Sequence, residues 1–269
     1  MKFLSRFYIG LIFLILYAPI LIVILFSFNK SGNLSYFSGF TLEWYGELFR
    51  DGEALDALKN SLILAVISSL LATVIGTFAA FSIARSKNKY YQKIMESVSN
   101  IPMMNPDIVT GISMMLLFVF IGNFTKNEEK LGFITLLIAH ITFCLPYVIL
   151  SVRPKILQMD KTLPEAAMDL GCTPLKSFFK VEFPNILPGI VSGFILSFTL
   201  SLDDFVISYF TTGNDFQTLP LLIYSMTKKE VKPDIYALST LMILAVTLLL
   251  IISNLTSKGK AAEGRVKRG

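Results

Sequence analysis

Long apolar stretches free of Asp, Glu, Lys and Arg alternate along the chain with short segments where charges crowd together. A helix needs about 20 largely apolar residues to cross a hydrocarbon layer of roughly 30 Å. Reading from charge to charge therefore predicts spans near 7–29, 60–84, 108–125, 131–152, 183–202 and 235–257. The third is short, and Ile101-Pro-Met-Met-Asn-Pro-Asp107 extends it inward as a proline-interrupted entry, giving 101–125. The fifth continues past Asp203 and Asp204 through Phe205-Val-Ile-Ser-Tyr-Phe210, giving 184–210. The expectation is an all-α, polytopic membrane protein with about six transmembrane helices in a single domain over 1–269.

Composition agrees with this pattern. Of 269 residues, 54% are hydrophobic and 16% charged, more apolar matter than a water-soluble core can hold. The first apolar run follows Lys2 and Arg6, as in a signal peptide, but its length and the lack of a small-x-small cleavage site favour a retained anchor.

Charge then orients the chain. With both termini cytoplasmic, the inner segments hold Lys2, Arg6, Arg85, Lys87, Lys89, Lys93, Arg153, Lys155, Lys161, Lys176, Lys180 and the basic tail. The first outer loop carries Glu43, Glu47, Asp51, Glu53 and Asp56. The net charge of +5 thus reads as a topology signature, and no nucleic-acid partner is expected. Within that outer loop, 41–49 predicts a short interfacial helix with aromatics at headgroup level and acids toward water.

Candidate chemistry is sparse. Cys144 falls inside a span and Cys172 in a cytoplasmic loop, so neither a disulfide nor a metal site is predicted. There is no Gly-x-x-x-x-Gly-Lys-Ser/Thr phosphate loop, no catalytic constellation and no expected cofactor. His140, the only histidine, lies mid-span as a polar packing contact or a proton relay.

The cytoplasmic segment 160–184 is more informative. Thr162-Leu-Pro-Glu165 has the form of a capping box, with Pro164 in the first turn. Gly171 supplies a left-handed stop, and Thr173-Pro174 opens a second helix through Val181 that ends at Pro184. Glu165 and Asp169 share a face, and Ala166 and Ala167 let a partner approach closely. Periodicity alone equally suits an amphipathic helix on the membrane surface, with Lys176 and Lys180 beside Phe178 and Phe179.

Glu165-Ala-Ala, Gly171 four positions after the second alanine, and Val181-Glu-Phe-Pro184 resemble the EAA loop of ABC importer permeases, in which the usual ending is Ile-x-Leu-Pro. Ser201-Leu-Asp-Asp204, Thr212-Gly, Leu219-Pro-Leu-Leu-Ile-Tyr-Ser-Met226 and Asn105-Pro-Asp-Ile-Val-Thr-Gly111 are similar to the PotC-type permeases of spermidine/putrescine importers. The resemblance implies a type I importer permease fold in a bacterial inner or plasma membrane, with the loop as a coupling helix seated on a cytoplasmic ATPase. It implies as partners a homologous second permease, a dimeric ATP-binding subunit and an extracytoplasmic polyamine-binding protein, besides membrane lipid. Glu165, Ala166, Ala167, Asp169 and Gly171 would then carry coupling.

A polyamine cargo asks for carboxylates along its path, and Asp203, Asp204 and Asp107 are the candidates. The aspartate pair would lie about 27 Å along the fifth span from Asn185. Each has a plainer reading too: Asp203 and Asp204 solvated or capping a broken helix, Asp107 capping the helix after a proline break. A permease for another small solute, or a gradient-driven secondary transporter, is the alternative. The latter more often shows two related halves, and no internal repeat is evident here.

Overall fold

A computed structural model describes residues 2–31, 36–50, 52–125, 131–160, 162–213, 216–228, 235–248 and 251. Among them the architecture is helical: α1 Lys2–Phe26, α2 Glu43–Leu48, α3 Gly52–Arg85, α4 Lys89–Met104, α5 Asp107–Phe124, α6 Phe133–Gln158, α7 Thr162–Asp169, α8 Pro174–Ser177, α9 Phe183–Leu202, α10 Val206–Thr211, α11 Leu219–Thr227 and α12 Ile235–Leu248. A π turn, Phe178–Glu182, joins α8 to α9. Five helical stretches are long and apolar enough to cross a membrane: Arg6–Phe26, Gly52–Arg85, Asp107–Phe124, Phe133–Gln158 and Pro174–Leu202. The 34 residues of α3 reach about 51 Å, so its acidic first turns extend beyond any hydrocarbon layer.

Several expected boundaries move, each for a local reason. Residues Ile101 to Met104 are not the entry to the third span but the end of the separate helix α4. Pro106 holds Asn105 extended, at φ −80° and ψ 143°, and α5 starts afresh at Asp107. The fourth span runs on to Gln158, across Arg153-Pro-Lys155. The fifth breaks after Leu202 and resumes as α10. For the sixth, 235–248 and 251 are helical, and the rest of 235–257 lies outside the described residues.

By internal contacts the chain forms two compact units, one drawn from Met1–Lys59 and Leu219–Leu248, the other from Asn60–Thr218. The core of the first is Leu48, Ala54, Ala57, Leu219, Leu222, Ala237 and Leu238. Helix α2 is tied to the end of α1 there, because Trp44 Nε1 donates to the Asn29 carbonyl (2.8 Å) and Tyr45 shares a hydrogen bond with Ser27 (2.8 Å). Glu43 and Glu47 face outward while Leu48 is buried, so the acids of this short helix do point to solvent, although its aromatics pack inward. The apolar span of α1 buries none of its length against the chain.

The second unit is built on α6 and α9. Val148, Val152, Phe143, Cys144 and Ile186 form its centre with Ala72 and Ala80 of α3 and Ile207 of α10. Without a strong hydrophobic drive between helices in lipid, close backbone approach supplies the cohesion. A Cβ on Gly76 would stand 2.7 Å from Val148 Cγ1, and one on Gly189 would stand 2.9 Å from the Ser151 carbonyl oxygen. Replacing Gly189 with leucine is expected to force α9 off α6, costing about 1–3 kcal/mol. The check is the thermal melting midpoint of the purified chain, and an unchanged midpoint would mean that the two helices do not pack as described.

Candidate functional site

The elbow between α6 and α9 is built in three steps. Asp160 starts it: its Oδ1 accepts from the Thr162 amide (3.0 Å) and hydroxyl (2.9 Å), and these donors hold the carboxyl below its ordinary range. The cap thus precedes Thr162, and the box expected between Thr162 and Glu165 does not form because Thr162 already lies inside α7 and spends its hydroxyl on Asp160. Glu165 is left exposed and free to face outward.

Gly171 then ends α7 in a Schellman arrangement. Its amide donates to the Met168 carbonyl (2.9 Å) and the Cys172 amide to the Ala167 carbonyl (3.0 Å), with φ of Gly171 at +87°. Thr173 caps α8 by accepting from the Lys176 amide, with Pro174 in the first turn. Ser177, buried, donates to the Pro164 carbonyl (3.2 Å) and fastens α8 to α7.

The second helix does not end at Pro184 as expected. Pro184 has no amide proton and its ring crowds the carbonyl four residues earlier, and the wider π turn at Phe178–Glu182 lets the chain run on into α9. At the end of that turn Glu182, its side chain only 4% exposed, pairs with Arg85 at the end of α3 (2.5 Å). Arg85 also stands over the Phe81 ring, 5.6 Å from its centroid. A further pair, Arg153 with Glu96, ties α6 to α4. Behind the elbow is a cavity of about 560 Å³ bounded by Arg85, Gln92, Pro164, Glu165, Phe178 and Glu182.

Truncating Arg85 to alanine strands the Glu182 carboxylate in that buried position. A loss of about 1–3 kcal/mol is expected, and adding Glu182→Gln in the same chain should restore most of it. Melting curves of the three variants check this.

The outward surface of the elbow carries Glu165, Ala166 and Asp169, with Ala167 half-buried beside them. Leu170, 87% exposed, and Leu175, 73% exposed, stand at its turn. Five sequence-predicted residues therefore sit on one small projecting element, acidic on one side and apolar at its tip.

The second candidate region is the break in the fifth span. Asp204 caps α10, its Oδ1 accepting from the Ile207 amide (3.3 Å) and its Oδ2 from the Ser208 amide (2.8 Å). Its side chain is 6% exposed and lies 3.5 Å from His140 Nε2. Asp203 closes α9, its amide donating to the Thr199 carbonyl, and its side chain is exposed. Asp107 is exposed at the first position of α5, whose cap is Pro106 with no side-chain bond. Helix α10 packs on α5, where Gly111 leaves room for the Phe210 ring.

His140 is buried between the two halves of the broken span, with Nδ1 2.7 Å from Ser201 Oγ and Nε2 3.0 Å from Ser208 Oγ. Ser201 in turn meets Ser68 Oγ of α3 at 2.9 Å. Among the described residues no group of three or more His, Cys, Asp and Glu is placed to hold a metal, and Cys144 and Cys172 are free thiols.

Nothing local in the sequence marks Arg85, Glu182, Ser201 and Ser208 as a set. Their partners lie far away in the chain, at Glu182 for Arg85 and at His140 for the two serines, so no local spacing marks them.

The model of the family described as "Binding-protein-dependent transport system inner membrane component" matches residues 72–258. The chain is 40% identical over 234 residues to the putrescine transport system permease protein PotI of Escherichia coli K12, covering 87% of this chain and 83% of that protein. It is 39% identical over 249 residues to the spermidine/putrescine transport system permease protein PotC of the same strain, covering 93% and 92%. In fold it is similar to a subunit of a bacterial ABC transporter for the acidic polysaccharide alginate, with a TM-score of 0.75 at 14% identity over 96% of this chain and 95% of the other.

Proposed function

The chain belongs to the family of binding-protein-dependent transport system inner membrane components, and from that premise we propose that it is a polyamine permease driven by a separate ATPase. It is a multi-pass membrane subunit rather than an enzyme. It pairs with a second, homologous permease to enclose the pathway, rests on a dimeric ATPase, and receives cargo from an extracytoplasmic binding protein. Both termini lie in the cytoplasm, as the distribution of Lys and Arg supports.

The observation that carries this reading is the elbow: a short, capped, doubly fastened projection with an acidic face and an uncovered apolar tip. Such a surface suits a cleft in another protein, and its two fastenings, Ser177 to Pro164 and Glu182 to Arg85, convert a push into movement of α9 and α3. Glu165, Ala166, Ala167 and Asp169 are the contact residues and Gly171 sets the angle. ATP binding opens the pathway between the two permeases outward, and hydrolysis returns it inward.

Cargo identity rests on relatives named for putrescine and spermidine together with the carboxylates at the helix break. Exposed Asp203 and Asp107 attract ammonium groups, whereas Asp204 holds the break in shape. The test is uptake of labelled putrescine and spermidine by proteoliposomes holding the full complex. Uptake that needs ATP and is blocked by excess polyamine supports the reading. Uptake that persists without the ATPase and collapses with an uncoupler would replace it with a gradient-driven carrier.

A further inference from the structure

We infer that His140 is a positioning residue that pins the break between α9 and α10 and so presents Asp203 to the cargo, an inference that rests on the cargo-facing reading of Asp203. The imidazole bonds both sides of the break: Nδ1 reaches Ser201 in the last turn of α9, and Nε2 reaches Ser208 in α10. Between these two serines lie Asp203, Asp204 and Phe205.

A neutral imidazole has one donor and one acceptor nitrogen, and an ionised carboxylate only accepts. One ring nitrogen therefore donates to its serine and the other accepts, and Ser201 Oγ is shared in turn with Ser68 Oγ of α3. Ser208 also meets the Asp204 carboxylate through its amide (2.8 Å). Both ring nitrogens are used, and three elements, α3, α6 and the broken span, are tied at one point.

The consequence concerns Asp203. Neighbouring residues on a continuous helix point about 100° apart, so if 203–205 wound into helix, both aspartates would turn to new directions. Asp204, held by two amides and walled in by His140, fixes the break. Asp203, one residue away, is left exposed by that same geometry. Asparagine matches the Nδ1 end of imidazole and glutamine the Nε2 end, so neither replaces a rigid two-ended link.

The experiment uses the complete complex in proteoliposomes and reads two quantities. The first is the KM of spermidine uptake for His140→Gln, for Asp203→Asn and for both together. His140→Gln is expected to raise KM about fivefold, with the maximal rate within about twofold, and to add nothing in the Asp203→Asn background. The second is the rate at which a membrane-impermeant thiol reagent modifies the side chain introduced by Asp203→Cys, with Cys144→Ser and Cys172→Ser present. That rate should change about fivefold with His140→Gln, and less, in the same direction, with Ser208→Ala.

An unchanged modification rate in an assembled complex, or KM effects that multiply independently, would overturn the pin. If His140→Gln fails to assemble, Ser208→Ala supplies both readouts. If Asp203→Asn alone leaves uptake unaltered, the cargo reading fails, and the modification rate alone then decides whether His140 holds the break.

Discussion

Replacing Gly171 with valine is expected to cut ATP-driven uptake at least about tenfold while the chain still inserts and assembles. The cause is backbone geometry, since a Cβ at this position meets nothing within 4 Å. At φ +87° an L-residue is strained by about 1–2 kcal/mol, and a β-branched one by more. The cheapest relief is to abandon the Cys172-to-Ala167 hydrogen bond, which lets α8 swing against α7. The lever then bends where it should transmit. Asparagine tolerates the left-handed region, so Gly171→Asn should keep most of the activity. Parallel measurement of uptake and ATP hydrolysis separates the cases: hydrolysis without uptake is the expected signature of valine, and full uptake with valine would remove Gly171 from coupling.

The two aspartates at the break should respond in opposite ways. Asp203 is exposed and caps nothing with its side chain among the described bonds, so Asp203→Asn should leave assembly intact. In the proposed cargo path its charge would act on an ammonium: at about 4 Å the pair gains about 4 kcal/mol at an effective dielectric of 20, and solvent screening reduces this to an expected KM rise of about tenfold. Asp204→Ala removes the cap of α10 and leaves the Ile207 and Ser208 amides unpaired. A loss of about 1–2 kcal/mol follows, seen first as less complex recovered. Labelled uptake normalised to assembled complex checks both. Equal losses of assembly from the two changes would contradict the division of roles.

How far the sequence shows this architecture depends on the range of the interaction. The spans are legible because a charge-free run is a local property, and Gly171, Thr173 and Pro174 mark the elbow because turn and cap chemistry is local too. The capping box at Thr162 was misplaced because Asp160, two residues earlier, is an equally good cap and wins the hydroxyl of Thr162. Pro184 read as a stop because a proline ordinarily ends a helix, and the π turn that accommodates it has no sequence signal of its own. The apolar Ile101-Pro-Met-Met104 reads as part of the third span, but Pro106 after Asn105 separates α4 from α5. Arg85 with Glu182, Glu96 with Arg153, and His140 with Ser201 and Ser208 are long-range pairs, and only three-dimensional packing brings them together.

The roles of the site residues follow the same line. Sequence offers Asp203, Asp204 and Asp107 as candidates, and burial distinguishes them, because a carboxylate that is 6% exposed and bonded at both oxygens by backbone amides is poorly placed to meet a passing cation. The outer face of the elbow is different. Its residues contact little within the chain, and the role proposed for them lies in what sits against them.

That role is most directly tested by a thiol introduced with Ala166→Cys, on the exposed face of α7, in the complete complex with Cys144→Ser and Cys172→Ser. A short crosslinker should join it to the ATP-hydrolysing subunit, halt uptake when closed and release it when cleaved. A thiol that reacts only with lipid-borne reagents, with no adduct to any nucleotide-binding partner and uptake undisturbed, would contradict a lever driven from the cytoplasm.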